Sequence, residues 1–199
     1  AYPGVEHRID PETGEIQMRS QALMMGYYKE PEKSAEVFTA DGWLRTGDKG
    51  VLDAEGGVRI RGRVKDIFKT GKGKYVAPAP IEDRLVMHAA VEACCVTGAN
   101  LGQPLGIVML NVEAAKRVLD AAERAALEAS LASHLESINT LLDPHERLDC
   151  LVVVTQPWTV ESGLITPTFK VRRNRIEDVY AAHYERWVVE RRRVVWHEA

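Results

Sequence analysis

The chain has 199 residues, of which 45% are hydrophobic and 28% charged, and its formal net charge is −3. This length fits one domain or two small ones, and so small a charge does not by itself indicate a nucleic-acid or membrane partner. No run of about 18 apolar residues predicts a transmembrane span.

The cysteine content is low and does not suggest a disulfide framework. Cys94, Cys95 and Cys150 are odd in number and include an adjacent pair, and no C-x-x-C or H-E-x-x-H spacing predicts a metal site. We expect reduced, buried cysteines on strands, in a cytoplasmic protein. Because the chain opens on Ala1 rather than Met, within a strand-rich region, we also expect it to be a piece of a longer protein.

The first part of the chain, up to residue 62, predicts a small β-rich unit. Turn signals such as PETGE and DAEGG separate short runs that include EIQMRS and VRIRGR. The second run alternates apolar and basic residues, which is the period of a half-exposed strand. A short helix is predicted within KEPEKSAEVF.

After residue 66 the pattern changes to alternating strands and helices. A helix is predicted in PAPIEDRLVMH with Ile81, Leu85 and Val86 on one face, and strands are predicted in VEACCVTGA, LGIVMLNV and CLVVVTQ. The spacing of apolar residues predicts one long helix over 113–139 and a final helix over about 174–189. The long helix would carry a single apolar stripe formed by Val118, Leu119, Leu127, Leu131, Leu135 and Ile138.

These elements predict an α+β protein in two parts. A β-rich domain over 1–64 is followed by a compact α/β domain over 65–199, with a short central sheet and flanking helices. The basic, apolar tail WVVERRRVVW is expected to pack back on that domain or to serve a crystal or subunit contact, although contact with a membrane surface is an alternative. The six histidines show no pairing pattern, and we assign none of them a catalytic role.

Three short segments could carry chemistry. The stretch GRVKDIFKTGKGKYV, residues 62–76, holds one arginine and four lysines against the single acid Asp66. It matches neither a Walker A sequence nor G-x-G-x-x-G, so taken alone it is compatible with solvated surface charge. Asp48 in RTGD could accept two hydrogen bonds from a cis-diol, or it could simply form a turn.

The third segment, TPTFKVRRNRI, places Lys170 after a proline and two hydroxylated residues. Taken alone, Lys170 resembles any loop lysine. Arg172, Arg173 and Arg175 are expected to be the solvated start of the final helix.

The order and spacing of these segments resemble one enzyme family. GYYKEPEKSAEVF, then DGWLRTGDKGVLDAEGGVRIRGRVKDIFKTGKGKYVAPAPIE, then LITPTFKVRR about ninety residues later are similar to the adenylate-forming acyl-CoA synthetases. The similarity extends from Gly14 to about Ile176. Most members have glycine before the last lysine, whereas this chain has Phe169, which is more like the long-chain fatty acyl branch.

The resemblance implies an enzyme that uses ATP to convert a carboxylic acid to an acyl-adenylate and then transfers the acyl group to coenzyme A. It implies catalytic roles for Lys170 and Lys69, nucleotide binding by Asp48 and Arg63, and a domain hinge at Lys65. It also implies a coenzyme A-binding loop formed by Gly71, Lys72, Gly73 and Lys74. Mg²⁺ is expected with ATP, but no ligand for it is identified in these residues.

The family's phosphate loop and acyl pocket are absent from this sequence, so we expect them in a large N-terminal domain that would be this chain's partner. The expected partners are otherwise the small substrates ATP, carboxylic acid and coenzyme A, with no nucleic acid. Two alternatives stay open: transfer of the acyl group to a carrier-protein thiol, and a non-catalytic binding module that uses the same scaffold. We expect the 199 residues alone not to form acyl-adenylate.

Overall fold

The computed structural model describes residues 3–197 and divides into two compact units, Ala1–Ile67 and Phe68–Ala199. The first unit is built on an antiparallel four-stranded sheet in the order β1-β2-β3-β4. Its elements are β1 Val5–Ile9, β2 Glu15–Ser20, helix α1 Pro31–Val37, β3 Leu44–Leu52, β4 Val58–Arg63 and a 3-10 helix Val64–Asp66. The strands predicted in EIQMRS and VRIRGR are therefore confirmed as β2 and β4, and the short helix as α1.

The core of the first unit is small and partly polar. Ile16 and Trp43 are its buried apolar side chains among the described residues, and Gln17 is buried beside them. Two guanidinium groups lie over the Trp43 ring, with the Cζ atoms of Arg8 and Arg19 at 4.5 and 4.6 Å from its centroid. Cation–π contacts thus take the place of part of an apolar core on this sheet.

The second unit contains a mixed four-stranded sheet in the order β10-β9-β8-β7, in which β7 and β8 are antiparallel and the other neighbours are parallel. The strands of the whole unit, of which β5 and β6 form a separate two-stranded sheet, are β5 Phe68–Lys69, β6 Tyr75–Val76, β7 Val91–Thr97, β8 Leu105–Leu110, β9 Leu151–Val154 and β10 Val194–His197. Its helices are α2 Ala79–Leu85, α3 Val112–Arg117, α4 Ala121–Asn139, α5 Arg173–Tyr180, a 3-10 helix Ala181–His183 and α6 Tyr184–Val189. The predicted α+β class and the three apolar strands β7, β8 and β9 are confirmed.

Helices cover both faces of this sheet. Leu151 and Val153 of β9 pack on the side of α2 and α4, whereas Val152 and Val154 pack on the side of α5 and α6. A strand that is buried on both faces must be apolar at every position, which explains the uninterrupted sequence LVVV. The loops at the ends of the sheet are thereby attached to a rigid core of three layers, with helices on both sides of the sheet.

The prediction of one helix over 113–139 is wrong. The segment forms α3 and α4, and α4 begins where the Asp120 carboxylate accepts hydrogen bonds from the backbone N–H groups of Ala122 and Glu123 at 2.8 and 3.0 Å. This N-cap satisfies donors at a new helix start. Leu119 consequently lies outside the apolar stripe and is 89% exposed.

The final helix was also predicted too long. It divides into α5 and α6 around the 3-10 helix, and Val179 of α5 is exposed. Val86 lies beyond the end of α2 and is likewise exposed rather than on its apolar face.

The tail packs back on the domain as predicted. Trp187, Val194 and Val195 are fully buried. The indole N–H of Trp196 donates to Glu128 of α4 at 3.1 Å, so the strand is attached to a helix as well as to β9.

Candidate functional site

Asp48 lies on a bulge in β3 that brings three consecutive residues opposite a single residue of β2. Glu15 pairs with Lys49 and Gln17 with Arg45, so Ile16 faces residues 46–48. Thr46 Oγ1 holds the bulge by donating to the Ile16 carbonyl at 2.7 Å and accepting from the Asp48 N–H at 3.1 Å. A bulge of this kind redirects a side chain out of the normal strand alternation.

Asp48 and Arg63 are brought together by the pairing of β3 with β4. They are directly opposite in register, and Arg63 Nε lies 3.2 Å from Asp48 Oδ1. The Asp48 side chain is 31% exposed and that of Arg63 is 62% exposed, so both can reach a ligand. Gly47 makes room for the guanidinium, because a Cβ there would lie 3.1 Å from Arg63 Nη2, and its φ of +75° suits glycine.

Lys65 lies in the middle of the 3-10 helix Val64–Asp66, between two residues in extended conformation, Arg63 and Ile67. Its side chain is exposed, and it lies two residues before the boundary at Ile67. A single 3-10 turn between extended segments is held by few hydrogen bonds. The backbone around Lys65 is thus a short connection rather than part of a long rigid element.

Lys69 belongs to a tight hairpin formed by β5 and β6. The loop closes by hydrogen bonds from Thr70 N to the Lys74 carbonyl at 2.8 Å and from Gly73 N to the Thr70 carbonyl at 2.9 Å. Gly73 adopts the left-handed φ of +77° that this turn requires. Lys69, Lys72 and Lys74 are exposed around it, so the loop concentrates positive charge at the surface.

This glycine loop, residues 69–74, is fastened to the turn between β7 and β8. Gly71 N donates to the Leu101 carbonyl at 2.7 Å, and Asn100 N donates to the Lys69 carbonyl at 3.1 Å. A Cβ on Gly71 would lie 2.5 Å from the Asn100 carbonyl oxygen. Glycine is therefore required at position 71 by the close approach of two backbones.

Lys170 lies on a separate turn, which is closed by hydrogen bonds to a residue close to it in sequence. The Lys170 carbonyl accepts from Thr166 N at 2.8 Å, and Lys170 N donates to Thr166 Oγ1 at 3.1 Å. Phe169 has a φ of +59° and is 80% exposed. The position before this lysine thus adopts the left-handed conformation that glycine takes most easily, which makes Phe169 a strained residue.

The expectation that the arginines after Lys170 are all solvated is wrong for one of them. Arg172 and Arg175 are exposed, but the Arg173 guanidinium lies inside the domain and its Nη2 is 2.6 Å from Glu82 Oε1. No local pattern reveals this contact, because the two residues are separated by 91 positions. Sequence reasoning therefore missed both Arg173 and Glu82.

The cysteines are free and buried, as predicted. Burial raises the pKa of the Cys150 thiol to about 12, and it also raises the pKa of the Cys94 thiol. Both thiols accordingly stay protonated and unreactive at neutral pH.

Two pairs of histidine rings lie close together, which the sequence did not indicate. His88 and His134 have centroids 5.2 Å apart, and His183 and His197 have centroids 4.8 Å apart. Within residues 3–197, no group of three or more His, Cys, Asp or Glu side chains is arranged to hold a metal ion.

Comparison with known proteins decides the family. The family described as AMP-binding enzyme C-terminal domain matches residues 65–188, which is more than half of the chain. The chain belongs to the AMP-binding, adenylate-forming enzymes. The resemblance predicted from the order of the motifs is therefore confirmed, including its similarity to long-chain acyl-CoA synthetases.

Two curated relatives of this AMP-binding chain act on long-chain fatty acids according to their names. Long chain acyl-CoA synthetase 7 of Arabidopsis thaliana, named as peroxisomal, is 32% identical over 84% of this chain and 26% of its own length. A long-chain-fatty-acid–[acyl-carrier-protein] ligase of the same plant, AEE15, is 29% identical over 89% of this chain and 27% of its own length. The chain thus spans about a quarter of these relatives.

A solved structure supports the same assignment for the AMP-binding chain. The adenylation domain of a carboxylate reductase from Mycobacterium chelonae is 27% identical with a TM-score of 0.78, and the match covers 93% of this chain and 31% of that domain. Among the helices of residues 3–197, none combines the length and the apolar character that crossing a membrane requires.

Proposed function

We propose that this chain is the C-terminal portion of an ATP-dependent acyl-CoA synthetase that acts on a fatty acid. In the first step a carboxylate oxygen attacks the α-phosphorus of ATP, which forms the acyl-adenylate and releases pyrophosphate. In the second step the thiol of coenzyme A loses its proton and attacks the acyl carbon, and AMP leaves. The observation that carries the proposal is an exposed Lys170 on a tight turn inside a region that matches the family.

Asp48 and Arg63 are proposed to bind the nucleotide. One carboxylate can accept hydrogen bonds from both hydroxyls of a ribose, and a guanidinium beside it can donate to a ribose or phosphate oxygen. Their opposed positions on β3 and β4 support this role, since two paired strands fix both backbones.

Lys170 is proposed to stabilise the first transition state. Its ammonium group would contact the attacking carboxylate and the α-phosphate while negative charge develops there. A single well-placed donor of this kind contributes about 3–4 kcal/mol to catalysis. The strained turn beside Phe169 supports the role, because strained backbone is often found at functional sites.

Lys69 and the glycine loop, with Gly71, Lys72, Gly73 and Lys74, are proposed to serve the second step near coenzyme A. The loop is exposed and cationic, which suits an acceptor that carries several phosphates. Lys65 is proposed as the hinge at which one unit turns relative to the other between the two steps. Mg²⁺ is expected to bind with ATP, and no ligand for it is assigned among the residues of this chain.

The fatty acid substrate is supported by the names of the relatives and by Phe169, where most of the family has glycine. We propose a cytoplasmic location on the ground of the three reduced cysteines, although one relative is named as peroxisomal.

A carrier-protein thiol is a second candidate acceptor, favoured by the name of the AEE15 relative. Both acceptors present the same pantetheine arm, so the same loop could serve either one.

The test uses the protein encoded by the complete open reading frame that contains this chain. We expect fatty-acid-dependent exchange of pyrophosphate into ATP, followed by thioester formation when coenzyme A is added. Thioester formation only with a phosphopantetheinylated carrier protein would favour the second acceptor. Absence of acid-dependent exchange with acids of any chain length would contradict the proposal and favour a non-catalytic module.

A further inference from the structure

The helix that follows Lys170 is joined to the rest of the second unit by a partly buried ion pair. Arg173, the first residue of α5, places Nη2 at 2.6 Å from Glu82 Oε1, and the two side chains are only 19% and 18% exposed. The same Glu82 oxygen accepts from the Val96 N–H at 2.7 Å. One carboxylate thus connects α5, α2 and the edge strand β7.

Arg173 also bonds to β7 directly. Its Nη1 donates to the Val96 carbonyl at 2.6 Å and lies 3.1 Å from Cys95 Sγ. The guanidinium is planar and its donors have fixed directions, so contacts to Glu82 and to Val96 together determine its orientation. A lysine at this position would keep the charge but could not span both acceptors in the same way.

A second polar attachment lies one turn further along α5. The Glu177 carboxylate accepts from the Thr97 hydroxyl through one oxygen and from the Tyr184 hydroxyl, at 3.0 Å, through the other. Burial raises the pKa of Tyr184, so its hydroxyl remains a donor. Two successive residues of β7 therefore hold two successive turns of α5, which prevents the helix from sliding or rotating on the sheet.

The position of this attachment in the chain connects it to both lysine-bearing loops. Arg173 lies three residues after Lys170, and between them Arg172 N donates to the Leu164 carbonyl at 2.8 Å and Ile165 pairs with Val171. Just beyond these contacts, β7 ends at Thr97 and the chain enters the turn that holds the glycine loop. The end of β7 is thus the common reference to which both loops are attached.

Stability alone is a weak explanation for this largely buried ion pair. Replacing such a pair with apolar residues is often neutral or even stabilising, whereas removing one partner is costly because a charge is left buried. The pair is better explained by what it orients.

We propose that Arg173 and Glu82 are positioning residues for Lys170, and this proposal rests on the function proposed above. By fixing the first turn of α5 on β7, they hold the Lys170 turn at the point where the first half-reaction needs its ammonium group. The glycine loop has its own backbone hydrogen bonds to residues 100 and 101, so the second half-reaction depends less on the pair.

The test compares variants of the protein from the complete open reading frame. Arg173→Met leaves the Glu82 carboxylate buried without its partner, whereas the double variant Arg173→Met/Glu82→Gln removes both charges and keeps an oxygen for the Val96 N–H. Arg173→Lys keeps the positive charge but loses the planar guanidinium and its fixed donor directions. The matched control is Arg175→Met on the same helix, whose ion pair with Asp178 is exposed.

Acyl-adenylate formation and thioester formation from supplied acyl-adenylate are measured separately, together with urea denaturation. We expect Arg173→Met to lower the turnover of adenylate formation about 10- to 100-fold with little change in the KM for ATP, because small misplacements of a catalytic group have effects of this size. Thioester formation should change by less than about threefold, and Arg173→Lys should be intermediate. The double variant should regain stability but not adenylate formation.

Recovery of adenylate formation together with stability in the double variant would overturn the proposal, as would an equal loss in both half-reactions. If Arg173→Met does not fold, Arg173→Lys and the double variant give the same comparison. Lys170→Ala is measured in parallel. Normal adenylate formation by Lys170→Ala would contradict the proposed role of Lys170 itself. If Lys170→Ala loses adenylate formation but the Arg173 variants keep it, only the positioning proposal is contradicted.

Discussion

The glycine loop and the Lys170 turn both expose a lysine, but they are built differently. The glycine loop uses Gly73 where φ is positive and Gly71 where the backbone of residue 100 approaches, and it is hydrogen-bonded to a neighbouring turn. The Lys170 turn places Phe169 at a positive φ and is closed by hydrogen bonds among residues 159–172. The comparison shows that the glycine loop is fixed by backbone hydrogen bonds to a neighbouring turn, whereas the Lys170 turn depends on the helix that follows it.

Replacement of each lysine by alanine is expected to have the largest effect, a loss of rate in one half-reaction. In the protein from the complete open reading frame, Lys170→Ala should lower acyl-adenylate formation about 100- to 1000-fold, because an ammonium group at developing charge is lost. Lys69→Ala should lower mainly thioester formation from supplied acyl-adenylate. Separate assays of the two half-reactions check both.

The control for the lysine exchanges is Lys116→Ala on α3, whose ammonium group forms an exposed ion pair with Glu113. It should change neither half-reaction. Equal loss of both half-reactions in both Lys69→Ala and Lys170→Ala would contradict the division of roles.

The close approach at Gly71 predicts the next largest effect. Gly71→Ala should lower the free energy of unfolding by about 1–3 kcal/mol, because its Cβ meets a backbone oxygen that cannot move without shifting residues 100 and 101. Gly102→Ala is the matched control on the adjacent turn, since a Cβ there approaches only the end of Lys72 at 4.0 Å. Urea denaturation of the 199-residue chain measures both, and equal midpoints would show that the contact is not tight.

The strain at Phe169 predicts a smaller effect. Phe169→Gly and Phe169→Ala both remove an exposed ring, but only glycine accepts the left-handed φ without cost. After the greater freedom of glycine in the unfolded chain is subtracted, the glycine variant should be more stable than the alanine variant by about 0.5–1 kcal/mol. An alanine variant as stable as the glycine variant would show that the turn relaxes in solution.

The smallest expected effect concerns pH. Burial and then the neighbouring His134 lower the pKa of His88 in the folded chain. The unfolded chain, whose histidines titrate near pH 6.5, therefore takes up the proton first, so stability should be constant above that pH and fall below it. This window lies above the range in which carboxylates titrate.

Urea midpoints of the 199-residue chain at pH 7.5 and 5.5 test this dependence. His88→Asn keeps an acceptor for the Ala90 N–H, which bonds to His88 Nδ1 at 3.2 Å, and it should reduce the difference between the two midpoints. The pKa of His197 is also lowered, first by burial, so His197→Asn should reduce the difference further. An unchanged difference in both variants would show that other groups cause the dependence.

Much of the fold could be predicted because the central strands are buried on both faces and therefore have uninterrupted apolar sequences. The helix boundaries could not be obtained from spacing alone. The break before α4 did have a signal, since Asp120 and Glu123 are spaced as in a capping box, but the continuous helix-forming sequence around them obscured it.

The candidate site likewise contains residues that the sequence could indicate and residues that it could not. Asp48, Lys69 and Lys170 lie in short motifs with a fixed order, so a family resemblance could point to them. The attachment of Arg173 to Glu82 could not be predicted, because it depends on α2, β7 and α5 meeting in three dimensions. Strand β10 was missed for a similar reason: its four residues follow three arginines and become a strand only by pairing with β9.

That pairing has a practical consequence for any shortened version of the protein. The region matched by the family ends at residue 188, whereas Val194–His197 cover the outer edge of β9. A chain cut at residue 188 would leave one edge of LVVV, four apolar residues in extended conformation, without a neighbouring strand, although its other edge stays paired with β8. An exposed apolar strand edge of this kind recruits other molecules into intermolecular sheets. Recombinant forms that end there should accumulate in inclusion bodies, whereas forms that extend through residue 197 should not.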